Sequence, residues 1–395
     1  MRKVFITGGV RTAGGSFGGT LKEKTAPELG AIAIKEVLKR VNISGEILDE
    51  VIFGSGWQAG IGPNPARLAS VTGGVSHSVP AVSVNVRCGS SLKALIMGAH
   101  AIMSGEENAV LVGGAESANN VPYLLDKARW GYRMGAATML DALHKDGFYC
   151  PLGEGLMGEI TERLVEKYSI SREEQDKYAC ETHHRAVAAI RDGNFKEEIV
   201  GVELFDRKTK ETRVFDTDEI PREGMTVETL ATLKPVFKKD GTITAASSSA
   251  LCDAASALVI MSDDKVRELG LTPMAEIVAM SFLGVDPKEF GLGPVPVVRQ
   301  LLDKSGLKLE DIDLVELNEA FAAQVIACDR ELHMDRNKLN VNGGAIALGH
   351  PIAATGGKIL VTLLHALKSQ GKELGLCALC IGGGNGVGII VKMGG

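Results

Sequence analysis

The stretch of chain at residues 82–112 reads VSVNVRCGSSLKALIMGAHAIMSGEENAVLV. Its first part alternates apolar and polar residues at Val82, Val84 and Val86, which is typical of a β-strand. Apolar residues then recur at helical spacing from Leu92 to Met103, and a short apolar strand follows at Ala109–Val112. A strand, a helix and a second strand in this order indicate an α/β protein.

The same order of elements is predicted at both ends of the chain. In the N-terminal part, strands are predicted at Lys3–Ile6 and Glu50–Phe53 and a helix at Ala26–Val41. In the C-terminal part, strands are predicted at Asp313–Leu317, Leu339–Val341 and Leu374–Ile381, and helices at Phe321–Leu332 and Ile359–Leu367.

Similar letters accompany this repeated order. SGEILDEVIFGSG (44–56) is similar to LKLEDIDLVELNEA (307–320), since each has a leucine, an acidic pair and an apolar strand. SVNVRCGSS (83–91) is likewise similar to KLNVNGGA (338–345), and each precedes a helix and a strand. We infer that the chain contains a duplicated α/β domain.

Three parts of the chain are distinguished by this pattern. The N-terminal half takes residues 1–118 plus about 251–272, and the C-terminal half takes residues 273–395. Residues 119–250 break the pattern and are richer in charge, with loop-like stretches at Met134–Asp141 and Gly153–Met157 and one predicted helix at Arg172–Arg191. We expect this inserted loop domain to cover a site.

Composition excludes several classes of protein. The 395 residues carry 43 Lys and Arg against 49 Asp and Glu, a net charge of −6, which argues against a nucleic-acid-binding protein. No apolar run approaches the ~18 residues of a membrane span. The seven scattered cysteines favour a reducing compartment, and neither the start nor the final VKMGG resembles a targeting signal. We therefore expect a cytoplasmic protein without a membrane or nucleic-acid partner.

Cys88 is the first candidate for chemistry. It lies between a predicted strand and a predicted helix, where exposed backbone N–H groups and the helix dipole should lower the pKa of its thiol. The alternative is a buried cysteine in a glycine–serine turn. Its place at the carboxyl end of a strand, where ligands of α/β sheets gather, favours a functional role.

His350 is the second candidate. It lies in GGAIALGHPIAATGG (343–357) between a glycine and a proline, on a loop and not on an apolar helix face, which favours function over a structural role. His183 and His184 lie on a charged helix, and we expect both to be solvated.

Cys377 and Cys380 form a CxxC pattern that a metal or redox site also uses. In a strand, however, positions three apart point to opposite faces, and no second CxxC exists, so we reject a metal site. Cys380 alone is a candidate, because the glycines after it leave it accessible and offer backbone N–H groups to an anion.

Two further motifs have ordinary alternatives. Asn318, after the strand LVEL, could be a functional amide or simply a helix N-cap. FITGGVRTAGGSFGG (5–19) lacks the GxGxxG spacing of a dinucleotide site, and the acidic residue expected ~20 residues on is also missing. Two cysteines, a histidine and an asparagine therefore remain, all at strand ends, as a set for nucleophilic and acid–base chemistry without a metal.

Over essentially its whole length the chain resembles the thiolase family. VNVRCGSSLKA (84–94), NEAFA (318–322), GGAIALGHP (343–351) and CIGGGNGVG (380–388) resemble its four motifs, in order and at matching separations. The resemblance implies a layered α/β/α/β/α core of two similar halves with a covering loop domain. It also implies ping-pong acyl transfer to and from coenzyme A, as in the reversible condensation of two acetyl-CoA to acetoacetyl-CoA and CoA.

The resemblance also implies a role for each motif. Cys88 would carry the acyl group and His350 would activate it. His350 would also help to hold the thioester oxygen, with a water positioned by Asn318. Cys380 would exchange the α-proton, and the backbone N–H groups of Cys88 and Gly382 would form a second oxyanion hole.

Residues for the coenzyme and acyl group follow from the same resemblance. They are Arg222, Phe237, Ser249, Met157, Leu156, Phe290 and Phe321. Leu156 replaces a usual histidine and Phe290 a usual methionine. Further departures from the family pattern are Ser91, Ala246, Ala250, Ala254, Ala353 and Thr355.

Three functions are compatible with the motifs. The first is a thiolase acting on short chains, with the alternative of broader or longer 3-ketoacyl-CoA substrates. The second is a condensing enzyme of the β-ketoacyl synthase type, against which the Asn318 and Cys380 motifs argue. The third is a catalytically silent scaffold. The resemblance implies no cofactor beyond the substrates acetyl-CoA, acetoacetyl-CoA and CoA, and a homodimer or homotetramer.

Overall fold

The computed structural model describes residues 2–206 and 208–394. Its strands are β1 (Val4–Thr12), β2 (Gly15–Ser16), β3 (Glu50–Gly54), β4 (Ala81–Val84), β5 (Ala109–Glu116), β6 (Tyr123–Leu124), β7 (Leu140–Asp141), β8 (Tyr149–Cys150), β9 (Gly155–Leu156), β10 (Ile199–Val200), β11 (Val202–Phe205), β12 (Thr212–Phe215), β13 (Cys252–Ser262), β14 (Ala275–Gly284), β15 (Leu314–Leu317), β16 (Leu374–Ile381) and β17 (Asn385–Met393).

Helices alternate with these strands. They are α1 (Ala26–Val41), α2 (Pro65–Thr72), α3 (Ser90–Ser104), α4 (Met157–Tyr168), α5 (Arg172–Asp192), α6 (Val227–Ala231), α7 (Asp263–Glu268), α8 (Pro294–Ser305), α9 (Ala322–Leu332), α10 (Ala345–Leu348) and α11 (Thr355–Gln370). None of the described helices is long and apolar enough to cross a membrane.

Most strands belong to one large sheet whose order shows the duplication. From edge to edge it runs β15, β16, β17, β14, β1, β13, β5, β3, β4. In the N-terminal half β4, β3 and β5 are parallel, and β13 and β1 run antiparallel to their neighbours. In the C-terminal half β15 and β16 are parallel, and β17 and β14 antiparallel. The two halves join where β1 pairs with β14.

Three buried clusters define the layers. The central one contains α3 and α11 with residues from both halves of the sheet, such as Val110 and Leu379. A second cluster packs α1 and α2 on the outer face of the N-terminal half, and a third packs α8 and α9 on the C-terminal half. The predicted α/β/α/β/α architecture is therefore confirmed.

Helix α1 occupies the predicted residues, and its ends explain why. The Glu28 carboxylate accepts hydrogen bonds from the backbone N–H of Thr25 at 2.8 Å and from its hydroxyl at 2.7 Å. A proline lies in the first turn, and Asn42 ends the helix in the left-handed conformation at φ 58°. These are ordinary helix start and stop signals that a sequence displays.

Two local predictions are wrong. No strand forms at Leu339–Val341, because Leu339 makes a single bridge with Val315 and Asn340 then turns the chain at φ 46°. The two loop-like stretches are not loops throughout, since β7 ends Met134–Asp141, β9 lies within Gly153–Met157 and α4 begins at Met157. The helix at Arg172–Arg191 is confirmed as α5.

A buried ionic cluster links the covering region to the N-terminal half. The Arg11 guanidinium donates two hydrogen bonds of 2.9 Å to the Asp218 carboxylate and a further one to Glu198. All three side chains are at most 1% exposed. Because β1 supplies Arg11 and the inserted segment supplies both carboxylates, the cluster ties the two parts together.

Replacing Arg11 with methionine should destabilise the protein strongly. The change leaves two buried carboxylates without a counter-charge, and breaking a buried pair in this way costs ~3–5 kcal/mol. Urea unfolding followed by circular dichroism measures the loss. The control is Arg267→Met, which removes an exposed pair with Asp263 and Asp264 and should cost less than ~1 kcal/mol. An equal effect of the two changes would contradict the argument.

Candidate active site

One contact between the halves brings a thiol and an imidazole together. Cys88 lies in the 3₁₀ turn Arg87–Gly89, between β4 and α3 of the N-terminal half. His350 follows α10 in the C-terminal half. The Nε2 atom of His350 lies 3.1 Å from the Sγ atom of Cys88. This is hydrogen-bonding distance for a nucleophile and its base.

The remaining groups of His350 are held by its own half and by the segment before β13. Its Nδ1 lies 2.7 Å from the Thr355 hydroxyl, and its backbone N–H donates to the Ala250 carbonyl at 2.9 Å. With Nδ1 protonated and donating to Thr355, Nε2 keeps a lone pair for the Cys88 thiol. Thr355 departs from the family pattern, and its hydroxyl binds the Nδ1 atom of His350 in this site.

Close packing seats the loop after His350 on the N-terminal half. A side chain at Gly54 would come within 2.8 Å of the Ala353 carbonyl, so only glycine fits there. The Ala353 N–H donates to the buried Glu116 carboxylate at 3.1 Å, and the Gly357 N–H donates to the Ser91 hydroxyl at 2.8 Å. The departures Ser91 and Ala353 thus lie in the contact that positions His350.

Burial keeps the thiol and imidazole neutral. Desolvation raises the pKa of the Cys88 thiol, although the Arg87 charge and N–H groups of Gly382 and of Cys88 itself act to lower it. Desolvation, with the charges of Lys358 and Arg87, lowers the pKa of His350 to about 3. The prediction that the helix start lowers the pKa of Cys88 is therefore wrong. The N–H groups at the helix start do lower this pKa, but the desolvation of the thiolate raises it by more.

Cys380 and Gly382 lie beside Cys88. Cys377 belongs to the central cluster and Cys380 to the cluster on the outer face, so the prediction that they point to opposite faces is confirmed. Burial, and then the neighbouring Cys88, raise the pKa of Cys380 well above its usual value. A side chain at Gly382 would lie 3.0 Å from the Met157 Sδ atom, so Met157 covers this turn.

Asn318 is not a helix cap. Helix α9 begins four residues later, at Ala322, and the Asn318 backbone N–H donates to the Ala378 carbonyl at 3.0 Å. Both polar atoms of its side chain are buried and have no hydrogen-bond partner among the described residues. Buried polar atoms are nearly always paired, so this amide is available to bind a ligand.

Glu319, next in the chain, is a positioning residue that the sequence reasoning missed. Its buried carboxylate accepts hydrogen bonds from the hydroxyls of Tyr178 at 2.8 Å and Thr182 at 3.0 Å, both on α5. It also accepts from the Asn340 amide at 2.9 Å and the Ile346 N–H at 3.1 Å. It thereby holds the covering helix against the segment that leads to His350.

Most of the residues expected to bind the coenzyme and the acyl group occupy the junction between α4 and the C-terminal half. Leu156 immediately precedes α4, Met157 is its first residue, and Phe237 packs on Gly158, where a side chain would overlap its ring. The Phe237 and Phe321 rings contact edge to face with centroids 5.8 Å apart. Phe290 is buried in the same cluster.

Ser249 and Arg222 lie in the segments around this junction. The backbone N–H of Ser249 donates to the Ala320 carbonyl at 3.0 Å. The backbone N–H of Arg222, whose side chain is exposed, donates to His183 Nδ1 at 3.2 Å. His183 is buried, and its pKa is lowered to about 4 by desolvation. His184 Nε2 contacts the Met225 carbonyl at 2.8 Å. The expectation of a solvated side chain is therefore wrong for His183 and correct for His184, which is exposed.

The pH dependence of Cys88 alkylation should show that the Cys88 thiol and the His350 imidazole are both neutral at rest. Because burial raises its pKa, the thiolate forms only above the usual ~8.5 of a cysteine, and the rate should climb with pH without a plateau between 6 and 9. Iodoacetamide labelling followed by mass spectrometry of the Cys88 peptide measures this, with Cys88→Ala to identify the peptide. A plateau below pH 7 would instead indicate a thiolate–imidazolium pair.

Known proteins match this chain throughout. The family model "Thiolase, N-terminal domain" matches residues 4–264 and "Thiolase, C-terminal domain" matches residues 271–393. The "Acetyl-CoA acetyltransferase" of Pseudomonas aeruginosa is 47% identical over 389 residues, covering 98% of this chain and 99% of the relative. That of Escherichia coli is 46% identical over 393 residues, covering 99% of each.

A solved structure agrees with this. The acetyl-CoA acetyltransferase of Bacillus anthracis superposes with a TM-score of 0.97 at 42% identity, covering 100% of this chain and 99% of the other. Both family models, the whole-chain relatives and the shared fold lead to one assignment. The chain belongs to the thiolase family and is an acyltransferase.

Proposed function

We propose that this protein catalyses the reversible Claisen condensation of two acetyl-CoA molecules to acetoacetyl-CoA and CoA through an acetylated Cys88. The observation that supports this most is the 3.1 Å contact between Cys88 Sγ and His350 Nε2 beside the buried thiol of Cys380. The relatives named acetyl-CoA acetyltransferase support the choice of acyl group.

The first half-reaction acylates Cys88. As its sulfur attacks the thioester carbonyl, the thiol proton passes to His350 Nε2, and the new S–C bond forms. The bond from carbon to the CoA sulfur then breaks, and His350 returns the proton to the leaving thiolate. Because both groups are neutral at rest, charge develops only as the bond forms, and the proton transfer is coupled to the attack.

The second half-reaction forms the carbon–carbon bond. Cys380 passes its proton to His350 as its sulfur removes an α-proton from the second acetyl-CoA, so that the two transfers are coupled. The enolate attacks the acetyl group on Cys88, the Cys88–acyl bond breaks, and His350 returns its proton to the Cys88 sulfur. The proton from carbon remains on Cys380, so all groups end in their starting state.

Two sets of donors stabilise the oxygens that become negative. The backbone N–H groups of Cys88 and Gly382 face the Cys88 sulfur and are placed for the oxygen of its acyl group. The unpartnered Asn318 amide would hold a water that, with His350, donates to the oxygen of the second thioester. The chain itself thus supplies nucleophile, base and donors, and we propose no metal or cofactor beyond CoA thioesters.

Arg222, Ser249, Phe237 and Leu156 are the residues we assign to the coenzyme, and Met157, Phe290 and Phe321 those we assign to the acyl end. The edge-to-face pair of Phe237 and Phe321 forms a rigid apolar wall where the coenzyme and the acyl end meet. Burial of Phe290 within the core favours a short acyl group over a long channel.

We also propose a homodimer or homotetramer in the cytoplasm. Strand β4 lies at the edge of the large sheet with Val82 exposed, and the segment from Tyr123 to Asp141 exposes Trp130 and Met134 almost fully. Such apolar groups are typical of contact surfaces. All seven cysteines are free, as in a reducing compartment. Light scattering on the purified protein measures the assembly.

Chain-length preference tests the proposed substrate. The kcat/KM for thiolysis should be highest for acetoacetyl-CoA and fall for the six- and eight-carbon 3-ketoacyl-CoAs. Phe290→Met should flatten this profile, and Leu156→His should strengthen CoA binding by no more than about tenfold, the worth of one hydrogen bond. A wild-type profile that rises with chain length would favour the longer-chain alternative, and no turnover would favour the scaffold.

Replacing Cys380 with serine separates the two half-reactions. The variant should still take up one acetyl group on Cys88 from acetyl-CoA, because that step does not use Cys380. Condensation and thiolysis should fall by ~10²–10⁴-fold, the usual loss of a general base. Peptide mass spectrometry and the absorbance of acetoacetyl-CoA give the two readouts. Condensation at the wild-type rate would assign the α-proton to another group.

A further inference from the structure

Lys358 is a buried cation at an unfavourable place in the fold. It is the fourth residue of α11, and only 2% of the side chain is exposed. The helix dipole disfavours a positive charge near a helix N-terminus, and an ammonium group loses its hydration when it is buried. No carboxylate in residues 2–206 or 208–394 lies within ion-pair distance of its Nζ atom. Other partners must therefore hold this charge.

Those partners are the two carbonyl groups directly before His350. The Lys358 ammonium donates one hydrogen bond to the Leu348 carbonyl and one, of 3.1 Å, to the Gly349 carbonyl. Both residues are buried, and no other described residue donates to either oxygen. The Gly349 carbonyl belongs to the peptide group whose N–H is that of His350, so Lys358 binds the peptide that leads into the base.

This peptide is held at both of its polar atoms. Lys358 binds its oxygen, and its N–H donates to the Ala250 carbonyl at 2.9 Å. Gly349 has a φ of 83°, and a side chain there would come within 2.6 Å of the Cys252 Cβ atom, so the backbone has little room to adjust. The direction in which His350 leaves the backbone therefore depends on the ammonium of Lys358.

The ionic cluster of the covering region supplies the balancing charge. Burial lowers the pKa of Lys358, while the neighbouring Cys252, Asp218 and Glu198 act to raise it. Burial also opposes the ionisation of Asp218, but the charges of Arg11 and Lys358 lower the pKa of this carboxyl. Two cations thus face two carboxylates, and Lys358 extends the cluster to the peptide before His350.

We propose that Lys358 is a positioning residue of the reaction, which fixes the peptide before His350 and so keeps Nε2 directed at the Cys88 sulfur. The inference rests on the proposed thiolase function. The hydrogen bonds of Lys358 go to the backbone before His350 and to none of the residues assigned to the coenzyme. Lys358 should therefore affect the proton transfers of His350 and leave CoA binding unchanged.

Single-turnover acetylation of Cys88 by acetyl-CoA tests this, with rapid quenching and intact-protein mass spectrometry. It gives a maximal rate and a half-saturating concentration. Lys358→Met removes the charge and the donors but keeps an unbranched chain, and it should lower the maximal rate by ~10–100-fold, since a small displacement of a catalytic group has an effect of this size. The half-saturating concentration should stay unchanged. Lys358→Arg retains a cation with N–H donors and should recover part of the rate.

Thr362→Val is the matched control on the same helix. The Thr362 hydroxyl donates to Glu198 of the ionic cluster at 2.9 Å, and the change leaves the two hydrogen bonds of Lys358 in place. It should lower the thermal stability but not the maximal rate of acetylation. Alkylation of Cys88 by iodoacetamide at pH 9 needs no proton from His350, so it should remain near the wild-type rate in Lys358→Met.

Thermal unfolding of each variant shows whether it folds. Lys358→Gln keeps an N–H donor without a buried charge, so it takes the place of the methionine variant if that one does not fold, and it too should lower the maximal rate.

Three results would overturn the inference alone. They are acetylation at the wild-type rate without the lysine, a loss in Lys358→Arg as large as that in Lys358→Met, and an equal loss in Thr362→Val. If the wild type itself took up no acetyl group on Cys88, the proposed function would be contradicted instead.

Discussion

The hydrogen bond between Cys88 Sγ and His350 Nε2 is the contact on which the rest of the site depends. Its two atoms come from opposite halves of a duplicated chain, 262 positions apart. It forms only because α3 and α11 share the central layer and the loop after His350 rests on glycines at the ends of β3 and β5. The duplication therefore supplies two loops, one after β4 and one after α10, that meet beside the central pair of helices.

Burial determines the charge state of this contact. A thiol beside a helix start would ordinarily favour the thiolate, yet the desolvation of the partly exposed Cys88 and of the buried His350 outweighs this effect, so the neutral thiol and the neutral imidazole are favoured. The thiol proton of Cys88 then passes to His350 only as the sulfur attacks the carbonyl carbon of a substrate. Backbone N–H groups and the amide of Asn318 need no protonation change, so they can stabilise developing charge at once.

The covering region is attached to the core through buried charges. Arg11 binds Asp218 and Glu198, and Glu319 binds Tyr178 and Thr182 of α5. Such groups tolerate burial only with their partners in place, so the region has one favourable position. This explains how a segment poor in regular sheet structure still presents Met157 and Phe237 at fixed places beside the site.

The sequence by itself determined the elements whose signals are local: helix α1 with its caps, the alternating and apolar strands, the duplication, and the four motifs that contain Cys88, Asn318, His350 and Cys380. It could not reveal that α4 begins at Met157 or that no strand forms at Leu339–Val341, because tertiary contacts outweigh the sequence periodicity at both places. Only the tertiary structure decided the protonation states and the roles of Thr355 and Glu319. Burial and the distant partners of Glu319 are not encoded in any single stretch of residues, and the contact of Thr355 with His350 depends on the turn that the chain makes between them.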